Sequence, residues 1–421
     1  MTTFGRSLVW AGLLLAVAVA PCVHAQSVAV VNARIVAGPE AAPIARGTVL
    51  IRDGRVAAFG DAGSVQVPEG MAVLDAGGGT LVAGFWNSHV HLIASPLDHA
   101  AGHADEVLSD ALTAAYLRWG FTTVFDIASA PGNAFGLRAR IAAGEVRGPA
   151  ILTVDEPFFP KDGVPGYVPD TLGGWSLKQA EVATADEASA RARRQLAQGA
   201  DGVKLFAGSM VGGEIGVLPM APDIARAVAA AAREAGKPVF AHPSNTEGME
   251  VAMAAGVTVL AHTTPNIDPW SEALVRRLVD ADIALVPTLA LIEVEVRKEG
   301  APADVLERLL ANASGQLRAF SAAGGDVLFG TDAGYAEVYD TRDELRLMHV
   351  AGLDWRQLLA SLTTTPAARF GQAARKGRIA EGMDADLVIL ARDPAAGVEA
   401  FADVRYTLIG GRVVYAAEAV Q

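Results

Sequence analysis

Six residues able to serve a metal ion are spread along the 421-residue chain: His89 and His91, Lys204, His242, His262 and Asp332. Each lies in or just after a short apolar run of the kind that forms a buried strand. Imidazole and carboxylate donors suit a borderline-hard divalent ion such as zinc.

Taken singly, each residue has a plain structural alternative. His89 and His91 alternate along a strand end, so their side chains point to the same side, as two ligands of one ion must. Such a pair can equally be a satisfied structural one. Lys204, in ADGVKLFAG, stands between Val203 and Leu205. A buried ammonium costs several kcal/mol unless paired, on the order of ~3–5, and it repels a cation. Carboxylation by CO2 would turn it into an anionic carbamate able to bridge two cations; the alternative is a buried ion pair with a carboxylate. His242 (VFAHPSN) and His262 (VLAHTTP) would each, alone, be hydrogen-bonded core histidines. Asp332 in LFGTDAG is either a loop residue or a carboxylate that binds an ion and takes a proton from water. Independent coincidences at successive strand ends multiply to a small chance, so the metal assignment is preferred.

The elements that must position these residues alternate in type. Strands are expected at 80–86, 122–126, 150–154, 202–206, 238–241, 258–261, 284–287 and 326–330, most of them separated by helix-length segments. The Ala-rich stretch 224–235 is a helix ending at Gly236, a left-handed cap, before Lys237-Pro238 opens the next strand. Parallel strands need such crossovers, and eight of them close a (β/α)8 TIM barrel whose sites lie at the strand C-termini. Before and after this middle, 27–78 and 377–415 show short β-rich runs with Gly, Pro and Asp turns. The two ends are expected to pair as a small β-sandwich. The division is therefore 26–78 with 377–421 for the sandwich and 79–376 for the barrel.

The N-terminus has the layout of a signal peptide over 1–25. Arg6 precedes an apolar LVWAGLLLAVAVA, and Val23-His24-Ala25 offers a cleavage site before Gln26. That implies a periplasmic or secreted protein, and no later run reaches the ~18 apolar residues of a membrane span. Pro21 before Cys22 argues against a lipoprotein. Cys22 is the sole cysteine, so the mature chain has no disulfide and no thiolate ligand. A net charge of −13 with no basic patch argues against a nucleic-acid partner. The partner is a small-molecule substrate; a homo-oligomer is left open.

The lines VAGFWNSHVHL, GADGVKLFAG, AHPSNTEGMEVAMAAGVTVLAH, LVPTLA, GTDAG and GRIAEGMDADLVIL together resemble the amidohydrolase superfamily. The resemblance is to its branch related to imidazolonepropionase and to metal-dependent Xaa-Pro and Xaa-Arg dipeptidases, and it spans most of the mature chain. It implies two divalent ions, zinc first among them. His89, His91 and Asp332 would hold one, His242 and His262 the other, with N6-carboxylated Lys204 as the bridge. It further implies a bridging hydroxide that attacks the substrate carbonyl while Asp332 moves the proton. The chain departs from the branch where His-Ala-His-Gly-Thr-Glu-Gly becomes His242-Pro-Ser244-Asn-Thr-Glu-Gly. It departs again after GTDAG, where Tyr335 and Tyr339 stand in a YAEVYD loop instead of a Tyr-Pro-His-Gly one. The chemistry is carried over more safely than the substrate.

Other candidates are secondary. Tyr335, Tyr339 and Arg342 follow the last strand and could touch a substrate carboxylate. His99 and His103 are expected as solvated loop residues, and His349 as structural. The Gly-rich AGSMVGGEIG loop lacks the phosphate-loop pattern. The function implied is hydrolysis of the C–N bond of a dipeptide or N-acyl amino acid-like substrate. The same site could instead open a lactone, ester or cyclic amide. Deamination does not need the bridging lysine. A non-catalytic periplasmic ligand-binding protein is the alternative of another class, and turnover would separate it.

Overall fold

The computed structural model describes residues 27–266 and 269–418; the expected signal segment at 1–25 lies outside them. The chain is mixed α/β. Both ends contribute to one eight-stranded sheet, built from Val28–Ile35, Ile44–Arg52, Arg55–Asp61, Ala72–Asp75 and Thr80–Ala83 with Leu387–Leu390, Val404–Ile409 and Arg412–Ala416. They meet where Thr80–Ala83 runs antiparallel to Leu387–Leu390, Leu81 facing Ile389. Val30, Val49, Ile51, Leu81, Leu387 and Leu408 bury their side chains together there, so the sheet has an apolar core of its own.

Between the ends the main strands are parallel and alternate with helical segments, with two short antiparallel hairpins, Thr171–Leu172 with Trp175–Ser176 and Gly208–Gly212 with Gly216–Pro219, beside them. Phe85–Val90, Phe121–Asp126 and Ala150–Thr153 form a three-stranded sheet. Val203–Phe206, Val239–His242, Val259–Ala261 and Ala284–Val286 form a four-stranded one. A single bridge, Phe158 with Leu205, spans the gap between the two sheets. Their inner faces share one apolar cluster that includes Phe125, Val154, Phe240, Val259, Val286 and Leu328. The ring of Phe370 packs onto it, with centroids 4.8 Å from Phe125 and 5.9 Å from Phe240.

Two expected strands differ in the structure. The run 80–86 divides at Gly84, where the pairing partner changes: Gly84 donates to the Asp386 carbonyl and Phe85 to that of Gly120. Thr80–Ala83 therefore pairs with the chain ends, and only Phe85–Val90 joins the parallel strands. The segment 326–330 forms no regular strand, because the Phe329 amide leaves the ladder for the Ser361 carbonyl. It is nonetheless held on both sides. Val327 bridges to Leu285, Ser88 donates to Phe329, and past it Ala333 bridges to Val90.

The helices start and stop where local chemistry predicts. Pro222 opens Pro222–Glu234, since its missing N–H is not needed in the first turn. Gly236, at φ +65°, takes the left-handed cap position just beyond it. Asn245 caps Thr246–Ala255 by accepting from Gly248 N. Among the described residues no helix is long and apolar enough to cross a membrane.

Thr407 joins the terminal sheet to the parallel strands: its hydroxyl donates at 2.7 Å to the Leu117 carbonyl in a fully buried setting. Thr407→Val keeps the shape and removes the donor. We expect a loss of about 1–2 kcal/mol of stability from the unpaired carbonyl, read as a lower urea midpoint at unchanged slope.

Candidate metal centre

The six expected residues line one cavity at the C-terminal ends of the parallel strands. His89 lies in the first of these strands and His91 just past its end, both on the cavity side. Lys204 is inside Val203–Phe206, His242 ends Val239–His242, and His262 follows Val259–Ala261. Several strand exits have left-handed backbones: His262 at φ +75°, Thr288 at +46° and Asp332 at +59°. Such conformations cost roughly 1–3 kcal/mol each for residues other than Gly, and they persist only where the surroundings over-determine them. Here they turn the chain away from the strand while the side chain faces the cavity.

The Asp332 loop is tied into the first strand. Asp332 N donates to the His89 carbonyl at 2.9 Å and His91 N to the Ala333 carbonyl at 2.8 Å. Asn87 also donates to Thr331 Oγ1 at 2.7 Å. Gly334 makes this close approach workable. At φ +103°, a Cβ there would stand 1.8 Å from the His91 carbonyl oxygen.

These constraints bring donors together. His91 Nε2 lies 2.8 Å and His89 Nε2 3.2 Å from Asp332 Oδ1, and the two Nε2 atoms are 3.3 Å apart. One donor atom from each of these residues falls within 4.8 Å of the others. His262 Nε2 is 3.7 Å from Asp332 Oδ2, and its ring stands 4.8 Å from that of His242. The His242 ring in turn stacks on Phe206 at 4.9 Å.

Hydrogen bonds set the tautomers. His91 Nδ1 lies 2.9 Å from the Ala128 carbonyl, which can only accept, so Nδ1 carries a proton, and a ring acting as a metal ligand would turn its Nε2 lone pair to the cavity. Thr288 commits its hydroxyl proton to the Pro287 carbonyl and lies 2.6 Å from His262 Nδ1. It therefore accepts there, and His262 Nε2 also presents a lone pair. Burial holds three of the imidazoles neutral: His89 is lowered to about 4, His242 to about 3, and His262 well below the usual range. Burial opposes the Asp332 carboxylate, whose ionised form needs positive charge beside it, from the His89 and His91 side chains or from a bound cation. Asp332 Oδ1 has no hydrogen-bond partner of good geometry.

Lys204 is 1% exposed. Among the described residues no carboxylate comes within ion-pair distance of its Nζ, which lies 5.6 Å from the centre of the Phe206 ring. Burial lowers its pKa to about 7, with Asp332 opposing. The alternative of a buried lysine–carboxylate pair is not what this structure contains.

The substrate-facing candidates divide. Tyr335 lines the cavity and donates to Glu295 Oε1 at 3.1 Å. Tyr339 and Arg342 do not line it. Tyr339 packs edge-on against Tyr116, and Arg342 pairs with Asp340 at 2.6 Å near Trp119. The helix Arg342–Val350 starts there, and Asp340 also accepts the Arg342 amide. Ser244 lines the cavity and donates to the Gly208 carbonyl. His99 and His103 lie outside it, and His349 is bonded to the Leu353 carbonyl. Thr288 was the residue without an assigned role. It sits in the quoted LVPTLA, whose threonine carries no ligand signature of its own.

The Amidohydrolase family profile matches residues 80–414. No curated protein matches the chain. Among solved structures, a Xaa-Pro dipeptidase with bound methionine in the active site superposes with a TM-score of 0.78 at 21% identity, covering 93% of this chain and 100% of that one. Molinate hydrolase gives 0.77 at 19% identity, with 92% and 94% covered. An A. niger ochratoxinase gives 0.74 at 17%, with 93% and 96% covered. These likenesses describe a TIM-barrel-like α/β fold, and the profile match over most of the sequence makes the chain a member of the amidohydrolase family.

Proposed function

We propose that this protein hydrolyses an amide C–N bond at a centre of two divalent ions, zinc being the first choice. His89, His91 and Asp332 would hold one ion and His242 and His262 the other, with Lys204, carboxylated on Nζ, bridging them. One observation carries the proposal. The Nε2 atoms of His91 and His262 lie 2.8 and 3.7 Å from the Asp332 carboxylate, while each ring's Nδ1 is bonded to an outer oxygen. Uncompensated, those donors repel one another; a cation among them removes the conflict. A partnerless buried Lys204 with a pKa near 7 supports the carbamate, since a neutral amine is the form that adds CO2.

When bound, the ions polarise the scissile carbonyl and lower the pKa of water. The chain's own residues do the rest. Ala128 and Thr288 fix the rings of His91 and His262. Asp332 stands where it can take a proton from the attacking water and return it to the departing nitrogen. The apolar cavity wall excludes bulk water and strengthens the electrostatics of the floor.

Around this site we infer a closed (β/α)8 barrel within 79–376, the strand Thr80–Ala83 excepted, since it pairs with the chain ends of the expected sandwich. The bridges Phe158 to Leu205, Val327 to Leu285 and Ala333 to Val90 support closure. Export through a signal at 1–25 accompanies the proposal. The same centre could cleave a dipeptide, an N-acyl amino acid, a lactone, an ester or a cyclic amide. A non-catalytic ligand-binding protein would have no use for the proton-moving Asp332.

Lys204→Ala should lose most bound metal, read by elemental analysis, and nearly all activity; two ions and full rate in that variant would sink the bridging carbamate. Thr288→Val frees the His262 ring. We expect it to weaken metal affinity by about 10–100-fold, measured by competition with a chelator, while an unchanged affinity would remove Thr288 from the centre.

A further inference from the structure

Resting on the hydrolase assignment above, the cavity carries information about what it admits. Its volume is about 280 Å³, enough for a small molecule. The wall above the donor residues is aliphatic and aromatic, with Phe159, Leu172 and Met210 on one side and Leu291, Ile292 and Leu309 on another. No arginine of the described residues lines it, and its sole lysine is Lys204 in the floor. Arg342 is paired outside. Lys298, near the rim, sits 3.8 Å from Glu295 and 3.5 Å from the Tyr335 hydroxyl without lining the cavity. Glu295 and Glu299 do line it. Among the described residues that line the cavity, the ionised side chains beyond the donor floor are these two glutamates, and Lys298 offsets one of them from outside.

This arrangement is poor for a carboxylate. In a dipeptide or N-acyl amino acid the anionic group lies two bonds from the scissile nitrogen. With the carbonyl at the floor, that group falls against the wall or toward the rim. At the wall it is desolvated with no counter-ion; at the rim Lys298 offsets Glu295 alone, so the charge it faces there stays net negative through Glu299 and repels it. An uncharged apolar amide meets neither obstacle and gains from burying its carbon surface.

We propose that the substrate is an uncharged, mainly apolar amide, with no anionic group on either its acyl or its amine part, and that free-acid dipeptides and N-acyl amino acids are selected against. The specificity lies in the absence of a cation from the wall together with the acidic rim.

The test uses the metal-loaded protein and two probes matched in size: N-acyl-4-toluidides and N-acyl-4-aminobenzoates, over a short series of acyl lengths. Dissociation constants are read by calorimetry and kcat/KM by release of the arylamine. The toluidide should bind at least tenfold more tightly than its benzoate partner. Equal or tighter binding of the benzoate overturns the proposal, and so does failure of every toluidide to bind. If the toluidides bind selectively and neither series is hydrolysed, the hydrolase assignment fails while the selectivity stands. Glu299→Lys, at an exposed rim position, should shift the binding ratio several-fold toward the benzoate. An unchanged ratio overturns the charge basis of the selection.

Discussion

Mutual repulsion at the cavity floor is the constraint on which the rest of the structure depends. Imidazole nitrogens and a carboxylate are set within hydrogen-bond distance of one another, with His91 Nε2 2.8 Å from Asp332 Oδ1. Without a proton or a cation among them these groups repel, so the scaffold must supply the force. It does so through backbone hydrogen bonds. The reciprocal pair between the His89–His91 strand end and the Asp332–Ala333 segment fixes two ligand-bearing segments in one unit. Left-handed residues at His262, Thr288 and Asp332 store strain that only a rigid surround can sustain. Gly334 matters for the same reason, since any side chain there would push the segment off the His91 carbonyl.

The packing beneath the floor makes that surround rigid. Phe125, Phe240, Val259, Val286 and Leu328 come from both parallel sheets and from the irregular segment 326–330, yet they fill one interior. Phe370 packs against the same cluster. A close-packed interior resists the small shifts that would let the donors drift apart. The terminal sheet supports this from outside, through Thr407 and the turn at Leu117.

Much of this was legible in the residue order, and the reason is physical. A His or Asp directly after a short apolar run is uncommon, so His242, His262 and Asp332 stood out against their neighbours. Seven of the parallel strands were visible as short apolar runs between helix-length segments. The eighth was expected as a regular strand because 326–330 has the right composition; composition cannot reveal that Ser361 captures the Phe329 amide. Nor could it reveal that pairing switches at Gly84, since both halves of 80–86 are equally strand-like. Thr288 was hidden because orienting a histidine takes only a hydroxyl. Tyr339 and Arg342 were drawn toward the site by closeness in sequence, yet the chain turns outward after Tyr335 and gives them to Tyr116, Asp340 and Trp119.

The floor and the wall of the cavity answer to different rules. The floor comes from strand ends, where position is dictated by the ladder and residue type by the chemistry the donors must do. The wall comes from the connections: Phe159 and Leu172 from the segment after the third parallel strand, Leu291 and Ile292 from the helix Leu289–Lys298, and Leu309 from the helix Ala303–Ala322. Residues there are ordinary apolar ones, which in a sequence look like any other core. Connections can also change composition without disturbing the ladder or the donors. Ser244 and the loop after Asp332 belong to this second class: they depart from the resembling branch while the six expected residues still line one cavity. Bond chemistry is thus written in a few rare residues at fixed points. Substrate choice is written in the collective polarity of the wall, and that becomes visible only once the folded chain shows which residues face inward and that no cation stands among them.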